Sequence, residues 1–96
     1  MDFSDALHRL KRGCRIAREG WNGTGQYAYF VPAGRYEPTT RTGDDIAADQ
    51  PDGKVPYAAY MALKTTRHEI APWAPSGSDV LAEDWIDVSH GEGDLD

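Results

Sequence analysis

Cysteine is nearly absent: Cys14 stands alone, which excludes an internal disulfide and any cysteine metal cluster. No apolar run approaches the roughly 20 residues that a bilayer-crossing helix needs. The first residues, Met1-Asp2-Phe3-Ser4, lack the basic and apolar regions of a secretory leader, so the cytoplasm is the default compartment. Basic groups are few, ten against sixteen acids for a net charge of −6, which opposes a nucleic-acid polymer as partner. The three histidines, His8, His68 and His90, have no metal-ligand spacing, and no H-E-x-x-H occurs. Neither G-x-x-x-x-G-K-[ST] nor G-x-G-x-x-G is present, so the common phosphate-loop signatures are missing. Glu83 and Asp84 are neighbours, and on a strand neighbours face opposite ways, which argues against a paired-carboxylate acid/base device. The residues therefore name no catalytic group, no metal ligand and no cofactor.

What the chain has is aromatic surface. Trp21, Trp73, Trp85 and five tyrosines are many for 96 residues, a length that makes one domain. A domain this small buries a modest share of its surface, and oligomerisation is a natural supplement. Charge is uneven: residues 1–20 carry five basic groups against three acids, +2, and residues 21–96 five against thirteen, −8. A small anionic ligand remains compatible with that balance, because one or two local cations or N–H dipoles suffice to hold it.

Phe3, Leu7 and Leu10, with Ala6, form one helical stripe and predict a helix over 4–12, with Ser4 as N-cap and Gly13 at the C-terminal end. Alternation predicts a short strand over 14–18. A glycine-rich turn follows, which either lets Trp21 lie over a ligand or tucks it beneath a hairpin. Residues 26–31 read as the clearest strand, with Tyr27, Tyr29 and Val31 on one side. Residues 33–56 read as a long polar loop with one helical turn at Ile46-Ala47-Ala48, able to cover a site or reach a neighbouring subunit. A second long strand is predicted over 57–65. Residues 69–73 return antiparallel, with Pro72 favouring an edge, and 84–88 close the sheet. The expected fold is α+β: an N-terminal helix packed on an antiparallel sheet of four to five strands, one domain over 1–88 with an acidic, flexible tail at 89–96.

Residues 72–85 organise the rest. Trp73 and Trp85 bracket a turn in which Ser76, Ser78 and Asp79 are helix N-cap types, placing an indole plane beside free backbone N–H groups. That pairing suits a ligand with a flat base and an anionic or hydroxylated arm, and equally an ordinary core beside a capped turn. Trp85 reads as core.

The strings Phe3-Ser4-Asp5-Ala6-Leu7, Arg18-Glu19-Gly20-Trp21-Asn22-Gly23, Met61-x-Leu63-Lys64-Thr65 and Pro72-Trp73-x-Pro75-Ser76-x-Ser78-Asp79-x-Leu81-Ala82-Glu83-Asp84-Trp85 resemble the second type of Thoeris anti-defence protein, a family of small phage and prophage proteins. The resemblance covers about residues 1–88. It implies a homotetrameric sponge that binds cyclic ADP-ribose-type signals of bacterial TIR-domain immunity at subunit interfaces, without cleaving them, in the cytoplasm of the infected host. Some members of that family also capture cyclic dinucleotides at separate sites. It implies ligand contacts at Trp21 and Asn22 from the first tryptophan motif, and at Trp73, Ser76, Ser78 and Asp79 from the second. Trp21 and Trp73 are then expected to wall the base and ribose, with Asp79 capping the turn or binding ribose hydroxyls. Lys64 is expected near the phosphates or, as readily, as a solvated strand-end lysine. Two departures bear on ligand selectivity: the hairpin Thr66-Arg67-His68-Glu69 lacks a glycine, and the acidic stretch 44–52 is unlike the family.

Overall fold

Helix α1 (Phe3–Lys11) starts one residue earlier than expected. Its N-cap is Asp2, whose carboxylate accepts from the Asp5 N–H at 2.9 Å, so the expected cap at Ser4 gives way to the acid two residues before it. The far end closes as a Schellman motif. Gly13 N–H donates to Leu10 O and Cys14 N–H to Arg9 O, with Gly13 at φ +96°, a conformation glycine adopts without strain.

The computed structural model describes residues 1–21 and 25–89. Five antiparallel strands follow the predicted pattern: β1 (Ile16–Arg18), β2 (Tyr27–Val31), and, after an excursion, β5 (Tyr60–Lys64), β6 (Ile70–Pro72) and β7 (Trp85–Asp87), in spatial order β6-β5-β2-β1-β7. Pro72 lies on an edge strand, where its missing N–H costs no ladder bond. The β5–β6 turn closes without glycine because His68 itself takes φ +60°, while Thr65 Oγ1 accepts from the Arg67 and Glu69 N–H groups at 3.2 Å each. A five-residue helix, α3 (Gly77–Leu81), leads into β7.

The excursion corrects the reading of 33–56 as a loop. It contains β3 (Gly34–Tyr36), α2 (Arg41–Ala48) and β4 (Val55–Tyr57), with β3 and β4 paired as a separate two-stranded sheet. Helix α2 runs eight residues rather than one turn because Thr40 caps it, its side chain accepting from Gly43 N–H at 3.0 Å. Polar composition masked this helix, whose buried face consists only of Gly43 and Ala47. The long strand expected over 57–65 is likewise divided: Tyr57 pairs with Gly34, and Ala58-Ala59 carry the chain back to β5.

One face of the five-stranded sheet packs on α1. Ala6 and Leu10 of the helix meet Ile16, Ala28 and Trp85 of the sheet, all essentially closed to solvent, with Phe3, Leu7, Phe30, Met61 and Leu63 around them. Among the described residues, no helix is long and apolar enough to cross a membrane.

Candidate functional site

Trp85 is the floor of an aromatic cluster at the end of the sheet. It is 1% exposed, and its indole N–H donates to the Asp79 carbonyl at 2.9 Å, which satisfies the polar atom of an otherwise apolar side chain. Around it stand Trp21 at 5.3 Å, Phe3 at 5.5 Å and Trp73 at 6.0 Å between ring centroids. Trp21 and Trp73 meet each other edge-on at 6.2 Å and 78°, the arrangement that aromatic quadrupoles favour. Both are half-buried and pack against the core, while Trp85 is sealed.

Beside the rings lies a charged hub. Ser76 is the N-cap of α3 and forms a capping box with Asp79: Asp79 N–H donates to Ser76 Oγ at 3.1 Å and Ser76 N–H to Asp79 Oδ2 at 2.9 Å. The other carboxylate oxygen, Asp79 Oδ1, accepts from an Arg18 guanidinium nitrogen at 3.0 Å and from the Trp21 indole N–H at 3.4 Å. Arg18 also donates through Nε to Asp84 Oδ1 at 2.8 Å, and the Gly20 N–H donates to Asp84 Oδ2 at 3.0 Å. A Cβ at Gly20 would sit 3.0 Å from that same oxygen, so the close approach favours glycine there. One arginine thus holds both acids.

The charges respond accordingly. Burial pushes the Asp79 carboxyl up, but the Ser76 N–H, the Arg18 guanidinium, the Ser76 hydroxyl and the Trp21 indole outweigh it and hold Asp79 below its ordinary value. The Arg18 hydrogen bond lowers Asp84, with the Gly20 N–H adding to it against a smaller desolvation cost. Arg18 is raised in turn, first by Asp84 and then by Asp79.

Strand alternation places Lys64 elsewhere. Leu63 points into the core beneath α1, so Lys64 lies on the opposite face of the sheet. There its Nζ donates to Gly25 O at 2.8 Å and stands 5.8 Å from the Tyr27 ring centre, while Arg15 lies 4.8 Å from the same ring. A cavity of about 350 Å³ opens beside them, lined by Gly25, Gln26, Tyr27, Lys64 and Val88.

The family model described as a Thoeris anti-defense 2-like domain matches residues 1–88, a span that contains every strand and helix above. The chain is also 34% identical over 95 residues to Thoeris anti-defense 2 of Bacillus phage SP01, covering 93% of this chain and 96% of that protein. The chain belongs to the Thoeris anti-defense 2-like family.

Within this family member, the fold brings together Trp21, Trp73, Ser76 and Asp79, with Ser78 exposed on the first turn of α3. Lys64 is on the other side of the sheet in the same subunit. Asn22 lies outside the described residues, as do 90–96 of the tail. The sequence does not single out Arg18, and it weighs Asp84 only as a carboxylate beside Glu83, with no ion pair expected. Their signal was position: Arg18 opens the first tryptophan motif and Asp84 closes the second, and the ion pair is what joins the two motifs in space.

Proposed function

We propose that this protein serves a phage against TIR-based Thoeris immunity by sequestering a cyclic ADP-ribose-type signal in the cytoplasm of the infected bacterium. In this reading it is a homo-oligomer, a tetramer with its sites at subunit interfaces. Trp21 and Trp73 wall the base and ribose, while Ser76, Ser78 and Asp79 supply hydrogen-bonding groups, with Asn22 and Lys64 as further contacts. Family membership supports the anti-defence role. One observation carries the mechanism: the two tryptophan motifs, far apart in the chain, fold onto each other through Arg18 so that two half-open indoles border a polar turn.

Binding without turnover is the reading proposed, and the electrostatics remove one catalytic role, that of general acid. A general acid at neutral pH needs a raised carboxyl pKa, and both carboxyls at this site are lowered by Arg18 and backbone N–H groups. The test is a recovery experiment against a panel of cyclic ADP-ribose isomers and cyclic di- and trinucleotides. Protein loaded with one isomer, freed of excess ligand and then heat-denatured should return that isomer intact. Each base–aromatic stack contributes about 1–3 kcal/mol, so Trp21→Ala or Trp73→Ala should each weaken binding by about ten-fold or more. Conversion of excess ligand would make the protein a hydrolase. Full affinity in both variants would remove these rings from the site.

A further inference from the structure

The arm formed by β3, α2 and β4 stands beside the sheet and leaves a cleft of about 630 Å³ between the two. Its wall is aromatic: Tyr36 and Tyr57 from the arm face Tyr29, Phe30 and Tyr60 from β2 and β5. Tyr36, Tyr57 and Tyr60 are 49%, 42% and 44% exposed, so the rings line the cleft without filling it. Tyr36 and Tyr57 meet at 5.6 Å and 58°, a tilted pair that presents more than one ring face. Glu37 is the one charged residue among those lining it. Lys11 lines a separate hollow that shares Phe30 and Tyr60, and Arg35 is bound through its guanidinium to Asp52 and Gln50.

Those features select a ligand charge. The face of an aromatic ring is electronegative, several such faces around one cavity add, and a carboxylic acid at the rim adds again. A phosphate or carboxylate ligand would meet these faces and an acid with no lining cation to offset them. We infer that the tyrosine cleft is a receptor for an organic cation carrying a quaternary or alkylated ammonium group, separate from the tryptophan site. The ammonium group lies against Tyr36 and Tyr57, and Glu37 balances its charge.

Gly34 keeps the cage in shape. A Cβ at this position would lie 2.7 Å from Tyr36 Oη and 2.9 Å from its Cζ, so the ring lies across the space where a side chain would be. Gly34 is not among the glycines at positive φ, and Gly34→Ala therefore moves the flexible Tyr36 ring rather than straining the backbone.

Nuclear magnetic resonance of protein with isotope-labelled tyrosine rings, titrated with choline, tests the site. The control ligand is choline's uncharged isostere, in which a tert-butyl group replaces trimethylammonium. Choline should shift the Tyr36 and Tyr57 ring signals saturably, and the isostere should bind about five-fold more weakly or worse. Gly34→Ala and Glu37→Gln should each weaken choline several-fold, with the Trp21 and Trp85 indole signals unchanged as proof of an intact fold. Equal binding of the isostere would reduce the cleft to a merely apolar one and overturn the inference. Absence of any saturable shift would do the same. So would ring shifts that follow protein concentration, with a second copy in the cleft, or that saturate with adenosine monophosphate.

Discussion

At the residue scale, Asp79 is the most connected side chain at the tryptophan site. It completes the α3 capping box, takes half of the Arg18 ion pair and accepts from the Trp21 indole. Asp79→Ala removes the carboxylate's bond from Ser76 N–H, the ion pair and the indole's acceptor; the Ser76 Oγ cap on the residue 79 N–H stays, and Arg18 keeps Asp84 alone. Hydrogen bonds to a charged group contribute about 1.5–3 kcal/mol, so unfolding in urea should show a loss of about 2–3 kcal/mol. The same variant should alter Trp21 fluorescence, since its indole N–H loses its partner. Trp85 has a different character: truncation to alanine empties a core position, and a loss of about 3–5 kcal/mol is expected from the same urea measurement. Its burial was legible from residues 84–88, where a tryptophan opens an alternating strand. The role of Arg18 was not, because an arginine at a strand end looks the same whether it meets solvent or two acids.

Elements differ in how they are held. Helix α1 has a carboxylate cap, a glycine stop and a full apolar stripe on the sheet, whereas α2 buries only Gly43 and Ala47 and rests on β4. Loss of one cap should therefore affect the two unequally. In Thr40→Ala, backbone amides of α2 should exchange with solvent about five-fold faster, the equivalent of about 1 kcal/mol, while amides of β2 and β5 keep their protection. Equal acceleration across the sheet would mean that the arm and body unfold together. The missing signal for α2 in the sequence has the same origin: a helix with so narrow a buried face lacks the periodicity by which α1 is recognised.

For the molecule as a whole, the radius of gyration of 15.7 Å and extents of 45 × 26 × 23 Å exceed the roughly 12–13 Å radius of a compact domain of this length. The arm fits that elongation: among the described elements its backbone packs within itself and comes close to neither α1 nor the five-stranded sheet. Charge also acts globally. Asp52, Asp79, Asp84 and Asp87 all sit below the ordinary carboxylate value in the fold: the Arg35 hydrogen bond lowers Asp52 and the Arg18 one Asp84. In Asp79 and Asp87 desolvation raises the carboxyl and hydrogen bonds, including those from Arg18 and Arg9, more than offset it. A lowered folded pKa contributes stability that is present above the unfolded value, near 3.9, and is lost as pH falls through the folded values. Thermal midpoints should stay flat from about pH 7 to 5 and drop below about pH 4. Arg18→Gln should make that acid drop shallower, because two of the four carboxyls then titrate nearer their unfolded values.

Short-range chemistry is what the sequence determined by itself. The stripe of Phe3, Leu7 and Leu10, the alternation of 26–31, the edge position of Pro72 and the Ser76 cap all act within a few residues, where helix and strand geometry make spacing decisive. The same holds for the paired motifs that mark the family. Tertiary structure alone decided that Arg18 would reach Asp79 and Asp84, 61 and 66 residues away, and that Lys64 would lie across the sheet from Trp73. It also decided that 33–56 would rise as an arm with an aromatic cleft at its base. Strand order sets those outcomes, and strand order follows from which faces bury the most apolar surface together, a property of the assembled chain rather than of any stretch within it.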